Sequence, residues 1–324
     1  MLPDGHLEAL TIRPALPDDD ARVVEIYNLQ EPESVPQTIA RYRMERAKHT
    51  GSHPSEHYIA IMDNFVVGYG SFHWAWWTGQ PGIYALEIRI DLRSTRQGIG
   101  TKLYEVLRSR LVLRGATRFV AWVRSDANAG RRFAARLGCD ETGQVIQEYR
   151  LDVAHADISA AVMLEARLEQ KGIRLACLAE LAGENVDFQR ALQRLWADAG
   201  DKAPDEIQLR NSFETWRREV LQAPDLSPDT HWIALEGERP VGMTFLKRLS
   251  EDAYENDYTS VAANYRGQGI ATALKLRAIA WAQSHGVQSF YTSSEIGNQP
   301  MVAVNTRLGY RPSVQRREVA RKIP

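Results

Sequence analysis

Two halves of this chain repeat each other over almost their whole length. Arg96-Gln97-Gly98-Ile99-Gly100-Thr101 is echoed by Gly267-Gln268-Gly269-Ile270-Ala271-Thr272 (269 − 98 = 171). At the same offset, Arg136-Leu137-Gly138-Cys139 is echoed by Arg307-Leu308-Gly309-Tyr310. Upstream, His57-Tyr58-Ile59-Ala60-Ile61 and His231-Trp232-Ile233-Ala234-Leu235 lie further apart (231 − 57 = 174), as do Val67-Gly68 and Val241-Gly242. One length difference between the third and fourth strands accounts for the change of three. Such a repeat is a tandem duplication of a whole domain, so one fold has to serve both halves. The 324 residues suit two domains of ordinary size.

Within the first half, apolar periodicity predicts a strand at 7–13, helices at 17–29 and 35–48, and strands at 58–62, 66–74 and 84–92. A helix at 100–114, a strand at 119–124, a helix at 128–137 and a closing strand at 144–152 follow. Residues 157–170 read as a linker helix ended by Lys171-Gly172. The second half repeats the order, with early helices at 187–199 and 211–222 and its fourth strand at 258–263. The expected fold class is α/β, an α+β arrangement on a mixed sheet. Its domains run 1–153 and 173–324, joined by 154–172.

Each glycine turn follows a strand and opens a helix. Backbone N–H groups there are unpaired, point one way and sit at the positive end of the helix dipole, which suits a pyrophosphate. Two phosphate loops are excluded. No Gly-Lys-Ser/Thr follows the strand, and a dinucleotide fingerprint would need glycine or alanine where Thr272 stands, with an acid about 20 residues on.

What fits is R-x-x-G-x-A, as Arg266, Gly269 and Ala271, followed by an N-x(n)-L-G-F/Y segment from Asn298 to Leu308-Gly309-Tyr310. In these motifs, and in its element order, the chain resembles the GNAT superfamily of N-acetyltransferases, in the tandem two-domain layout of the mycothiol synthases. The resemblance covers nearly the whole chain twice. It implies that acetyl-CoA, or another acyl-CoA, meets an acceptor amine where the fourth and fifth strands splay. The pantetheine arm would pair with the strand edge at Ile90 and Leu92, or at Val261 and Ala263. The pyrophosphate would lie on N–H groups of Gln97, Gly98, Ile99, Gly100, Thr101 and Lys102, or of Gln268, Gly269, Ile270, Ala271 and Thr272 behind Arg266 and Gly267. Asn298, with Asn128 as its counterpart, would hydrogen-bond the pantetheine arm, cap its helix, or do both. The first copy departs from the pattern, with Thr95 in the arginine position and Arg96 where glycine often sits.

Many members of the superfamily protonate the leaving thiolate with a tyrosine four residues before the glycine of L-G-F. Ala134 and Asn305 occupy that position here. The base is often a fourth-strand glutamate. Glu87 holds that place in the first copy, and Tyr258 in the second, with Asp257 and Glu255 nearby. Each of these is either a proton-handling group or a solvated strand-end charge. The resemblance thus implies an acetyl-CoA-dependent N-acetyltransferase acting on a small-molecule or peptide amine in a ternary complex, with the second copy better preserved. A non-catalytic acyl-CoA-binding protein is the alternative, and a third reading makes the first copy the catalyst because it alone carries Glu87.

Composition removes other classes. With a formal net charge of −1 and no charged tail, neither nucleic acid nor an anionic membrane is the expected partner. Two cysteines make no disulfide framework, and with no signal-like N-terminus or spanning run the expected location is the cytoplasm. His53, His57 and His231 lack metal-ligand company, so no metal is expected. The run Phe72-His73-Trp74-Ala75-Trp76-Trp77 either lines an acceptor pocket or packs as core or between the two copies, and Cys139 reads as core. A monomer or a homodimer fits equally.

Overall fold

A computed structural model describes residues 10–48, 55–75, 78, 80–181, 185–198, 213–223 and 225–324. In chain order the first half gives β1 (Thr11–Pro14), α1 (Asp20–Gln30), α2 (Ile39–Lys48), β2 (Glu56–Met62), β3 (Phe65–Trp74), β4 (Ile83–Ile90), α3 (Ile99–Leu113), β5 (Arg118–Arg124), α4 (Asn128–Arg136) and β6 (Asp140–Asp152). The second half gives α5 (Ala161–Glu169), β7 (Ile173–Cys177), α6 (Val186–Asp198), α7 (Phe213–Trp216), β8 (Leu226–Glu236), β9 (Arg239–Arg248), β10 (Ala253–Val261), α8 (Ile270–Ser284), β11 (Ser289–Glu295), α9 (Gln299–Arg307) and β12 (Arg311–Lys322). The parts of the expected first strand before Leu10, and of the expected 211–222 helix before Phe213, lie outside the described residues.

The compact units are Met1–Gln144 with Arg316–Pro324, and Val145–Gln315. These contact-defined limits fall at other points than the expected 153 and 173. In the first unit β1 to β4 are successively antiparallel, β4 and β5 are parallel, and β12 closes the sheet against β5 from Arg316↔Arg124 to Lys322↔Arg118. In the second, β7 to β10 are antiparallel, β10 and β11 parallel, and β6 closes against β11 from Ser289↔Asp152 to Glu295↔Ile146. Each closing strand therefore serves the other copy. Duplicated sheets offer equivalent edges, so like strands can trade places at little cost. The expected linker helix belongs to the second unit as α5, where Glu165 pairs with Arg277 of α8 at 2.6 Å.

The repeat offset has two causes rather than the single one expected. It is 174 at the ends of the third strands (248 − 74) and 170 at the starts of the fourth (253 − 83), because the intervening loop is four residues shorter in the second half. It returns to 171 at the strand ends (261 − 90) because β10 carries one extra residue, Asp257, as a bulge between Asn256 and Tyr258. β4 pairs with β3 without interruption. A bulge turns the strand beyond it and marks where pairing is to end.

Each sheet is covered on both faces. In the first unit Ile99, Leu103, Leu107 and Leu111 recur at helical spacing on α3 and bury one stripe, while Val23 and Ile26 of α1 cover the other face. In the second, Leu192, Trp216 and Met243 form one layer, and Leu274, Ile279 and Phe290 the other. Gly242 lets α8 press close, since a Cβ there would stand 2.7 Å from Ile270 Cγ2. Fully burying side chains such as Phe119 and Phe290 stabilises by about 1.5–3 kcal/mol each.

A chain stopped after Gln315 lacks the strand that closes the first sheet. We expect it to lose cooperative unfolding of the first unit while the second keeps its transition. Hydrogen exchange at Arg118–Arg124 checks this, and retained protection there would contradict the strand exchange.

Candidate active site

In each unit the two parallel strands pair over only three residues, from Ile83↔Arg118 to Ala85↔Val120 and from Ala253↔Ser289 to Glu255↔Tyr291. Both strands then run on without pairing to each other, so a V opens whose backbone edges can receive a bound chain. Past each V the strand becomes a 3-10 turn, Leu92–Ser94 or Ala263–Tyr265. Leu92 and Ala263 therefore lie beyond the strand edge on which they were expected. The Asp91 carboxylate accepts from Arg93 N at 2.8 Å and ends the first strand early. Ala262 N donates to Val241 O at 2.9 Å as the last bond of the second ladder.

The glycine turns stand where expected, each opening its helix. Gly98 (φ 80°) and Gly269 (φ 90°) are the left-handed N-caps of α3 and α8. The helices begin at Ile99 and Ile270, so the N–H groups of Ile99, Gly100 and Thr101, and of Ile270, Ala271 and Thr272, belong to their first turns, where Thr101 N already donates to Gly98 O at 3.0 Å. Gln97 and Lys102 are exposed; Gln268 is half-buried and receives a bond from Lys171 Nζ at 3.4 Å. Gly267 takes φ 76°, and its counterpart Arg96 is forced to φ 68°, a strain of about 1–2 kcal/mol for a residue with a Cβ. Arg266 folds back so that its Nε donates to Val261 O at 3.1 Å.

The first V is filled by the chain itself. Gln30 Nε2 donates to Ile90 O, the carbonyl on which the pantetheine arm was expected, and Arg124 Nη1 of β5 donates to Gln30 O at 3.4 Å. Beside them the buried Glu31 carboxylate accepts from Arg89 of β4 (2.6 Å), Arg124 of β5 (3.2 Å) and both Nη atoms of Arg316 of β12 (2.9 and 2.8 Å). Burial works to raise the Glu31 carboxyl, but the hydrogen bonds from Arg316 and the field of Arg89 overcome it and hold it at about 2. Glu87, the expected base, accepts on Oε1 from Arg89 Nε at 2.6 Å and so belongs to this ionic network. No motif pointed to Gln30 and Glu31. Their only signal was a carboxylate at the end of a helix whose partners lie far away in sequence.

Among the described residues no side chain bridges the second V as Gln30 and Glu31 bridge the first, and Val261 O, the counterpart of Ile90 O, is met by Arg266 Nε from the glycine turn itself. Ser260 stands at the register position of Arg89, because Arg89↔Tyr69 and Ser260↔Met243 are equivalent pairs (243 − 69 = 174). Asn305 is wholly buried, and neither Oδ1 nor Nδ2 has a hydrogen-bond partner among the described residues; the buried hydroxyls of Ser260 and Ser294 also have none. Orphaned polar atoms on β10, β11 and α9 are costly, at about 1–3 kcal/mol each, unless something else binds them. An amide-rich arm such as pantetheine is chemistry that fits. Asn256 and Thr292 are the first residues past the last pair, and Thr292 Oγ1 donates to Asn256 O at 2.9 Å across the apex. Lys275 of α8, 2% exposed, donates from Nζ to Asn256 Oδ1.

Other candidates fall outside this arrangement. Tyr258 donates to Trp196 O at 2.5 Å and stacks on Phe245. Asp257 is ion-paired with Lys247 at 2.6 Å. Asn298 caps α9 by accepting from Met301 N at 3.3 Å, whereas Asn128 is the first residue of α4, with Ala127 at the cap. Phe72 is core against Tyr84, and Trp74 donates to Gln80 O; Trp76, Trp77 and His53 lie outside the described residues. Burial lifts the Cys139 thiol to about 11 and lowers His231, as befits core groups. Among the described residues no cluster could hold a metal, and no helix is long and apolar enough to cross a membrane. A cleft of about 810 Å³ lies around Trp232, Trp281 and Arg248, at the far end of α8 from the glycine turn.

The model of the acetyltransferase (GNAT) family matches residues 21–139 and again 189–310. The chain belongs to that family. It is an N-acetyltransferase built from two family domains, and the family generally uses acetyl-CoA. It is 25% identical over 264 residues to the mycothiol acetyltransferase of Actinosynnema mirum, covering 80% of this chain and 82% of the relative. To that of Corynebacterium glutamicum it is 24% identical over 226 residues, covering 69% and 70%. In fold it is similar to a GCN5-related N-acetyltransferase from Sphaerobacter thermophilus (TM-score 0.72, 14% identity, 97% and 96% covered). A tandem GNAT protein from the clavulanic acid biosynthesis pathway is similar to the same degree (TM-score 0.72, 17% identity, 98% and 99% covered).

Glu31 ionises at about 2 when folded against an ordinary 4.5, so its contribution is full above pH 4.5 and is lost as pH falls toward 2. That difference is worth roughly 3 kcal/mol. Denaturant titrations of wild type and Glu31→Gln between pH 7 and pH 3 should show the variant less stable at neutral pH by about 3–5 kcal/mol, converging on wild type in acid.

Proposed function

We propose that the second unit is the working copy. It takes acetyl-CoA with the pyrophosphate on the turn from Gly267 to Thr272 and the pantetheine arm along β10 at Val261. It passes the acetyl group directly to the amine of a small molecule or peptide. The observation that carries this reading is the contrast between the two Vs: the second holds orphaned buried polar atoms, while Gln30 and Glu31 fill the first. Bound acetyl-CoA supplies an activated acyl thioester. The chain's part is to hold donor and acceptor together, which makes the transfer effectively unimolecular and supplies about 7–11 kcal/mol in favourable cases. Backbone N–H groups left unpaired on β10 beyond Glu255 are placed to stabilise negative charge on the carbonyl oxygen. The first unit then acts as a folded partner rather than as a second site.

The acceptor is an amine. Because two relatives are named mycothiol acetyltransferases, mycothiol-related amines belong in an acceptor screen beside amino acids, aminoglycosides and peptides. Calorimetry with acetyl-CoA should give one site per chain. Gly269→Val, which adds a Cβ at φ 90° and 2.9 Å from Leu164 Cδ1, should weaken it at least tenfold, whereas Gly98→Val, with open space around it, should leave it unchanged. A stoichiometry of two, or loss of binding on changing Gly98, would overturn the choice of copy.

A further inference from the structure

The two copies differ most sharply at the apex of the V on the α8 side. There the second unit has Asn256, Lys275, Thr292 and Asn305, where the repeat gives the first unit Leu86, Tyr104, Ala121 and Ala134. Four apolar or aromatic positions in one copy are thus polar in the other. Asn256 is tied down on every side: Nδ2 donates to Thr244 Oγ1 (2.9 Å) and Phe245 O (3.2 Å), its carbonyl accepts from Thr292, and Oδ1 accepts from Lys275. A buried amide so fixed holds the lysine amine at the point where β10 and β11 part. Tyr310 lies beneath it, with its ring centroid 5.2 Å from Nζ, and Tyr310 N donates to Asn305 O at 3.1 Å, which links the lysine to the orphaned Asn305.

A fully buried ammonium is expensive and is normally met by a carboxylate. Among the described residues the groups that meet Lys275 are neutral: the Asn256 amide on β10, itself bound by Thr244 of β9 and Thr292 of β11, and the Tyr310 phenol, driven well up by burial. Burial alone pushes the Lys275 amine down to about 7, so it exchanges its proton near neutrality. An ordinary packing role would call for leucine or methionine at this position, and a structural ion pair for an acid that is absent from these contacts.

We propose that Lys275 is the proton donor to the departing CoA sulfur, in place of the tyrosine that the family resemblance puts at the position of Asn305. The inference rests on the second unit being the acetyl-CoA site. As the acceptor nitrogen bonds to the acetyl carbon, the carbon–sulfur bond breaks and its electron pair moves to sulfur. Lys275 Nζ gives sulfur one proton and becomes a neutral amine held by Asn256. The new amide nitrogen releases one proton to solvent, and Lys275 regains one from solvent before the next turnover. Asn305, with a free amide donor, is placed to receive the sulfur while its charge develops.

Lysine carrying 15N at Nζ reports the amine directly in the free wild-type protein. A titration with midpoint near 7, missing from Lys275→Met, is expected; a midpoint above 9 or below 5 would overturn the proposal whether or not the variant folds. In steady state, wild-type kcat should decline as pH rises above 7, because the donor form is lost. Lys275→Met should lower kcat about 100-fold and abolish that decline, with acetyl-CoA affinity held within threefold. A variant that keeps kcat within threefold and the same pH profile would sink the idea. If calorimetry finds no acetyl-CoA binding by wild type, the proposed function fails instead, and the lysine titration stands apart from that result.

Discussion

Everything in this molecule that bears on function follows from two parallel strands that stop pairing after three residues. A sheet that stayed zipped would satisfy its own N–H and carbonyl groups and offer nothing to a ligand. Once β10 and β11 part after Glu255 and Tyr291, the chain has to leave those groups wet, fill the gap with side chains, or bind something there. The bulge at Asp257 turns β10 at that point, and the glycine turn and helix α8 begin where the strand ends.

The two copies resolve the same gap in opposite ways. The first fills it with its own amide and a carboxylate gripped by three guanidinium groups, an arrangement rigid enough to resist any ligand that cannot displace Glu31. The second, among the described residues, leaves polar atoms orphaned and a lysine without a counter-ion. Stability and activity are thereby separated. Ion pairing secures the copy in which nothing needs to enter, and the cost of unmet hydrogen bonds falls on the copy in which a ligand can meet them.

Much of this could be read from the residues. The repeat gave the duplicated fold, because equal offsets at glycine turns, strand pairs and the L-G segment leave little other choice. Asp63-Asn64, residues of the kind that suit a two-residue hairpin turn, join β2 to β3, and both take positive φ as such turns require. The glycine turns were legible because only glycine is comfortable there; the same rule marked Arg96 as the irregular member. The plug at Glu31 was not legible, since its partners at Arg89, Arg124 and Arg316 are 58 to 285 residues away and no local pattern signals a buried carboxylate. In the sequence Lys275 is one ordinary helix former among others in the run after the second glycine turn. Its partners are Asn256 of β10 and Tyr310, and helix propensity carries no trace of either.

The strand exchange was invisible for a related reason, since an edge looks alike in both copies. Its consequence concerns synthesis rather than the finished molecule. Residues up to Gln144 leave the ribosome lacking the strand that their sheet needs, and that strand starts 172 residues further along the chain (316 − 144). Until Arg316–Lys322 emerges, the β5 edge is an open hydrogen-bonding surface on a nascent chain, and its own copy's β6 is the nearest strand able to pair there wrongly. The order of synthesis thus sets a contest between the strand that arrives first and the strand that belongs.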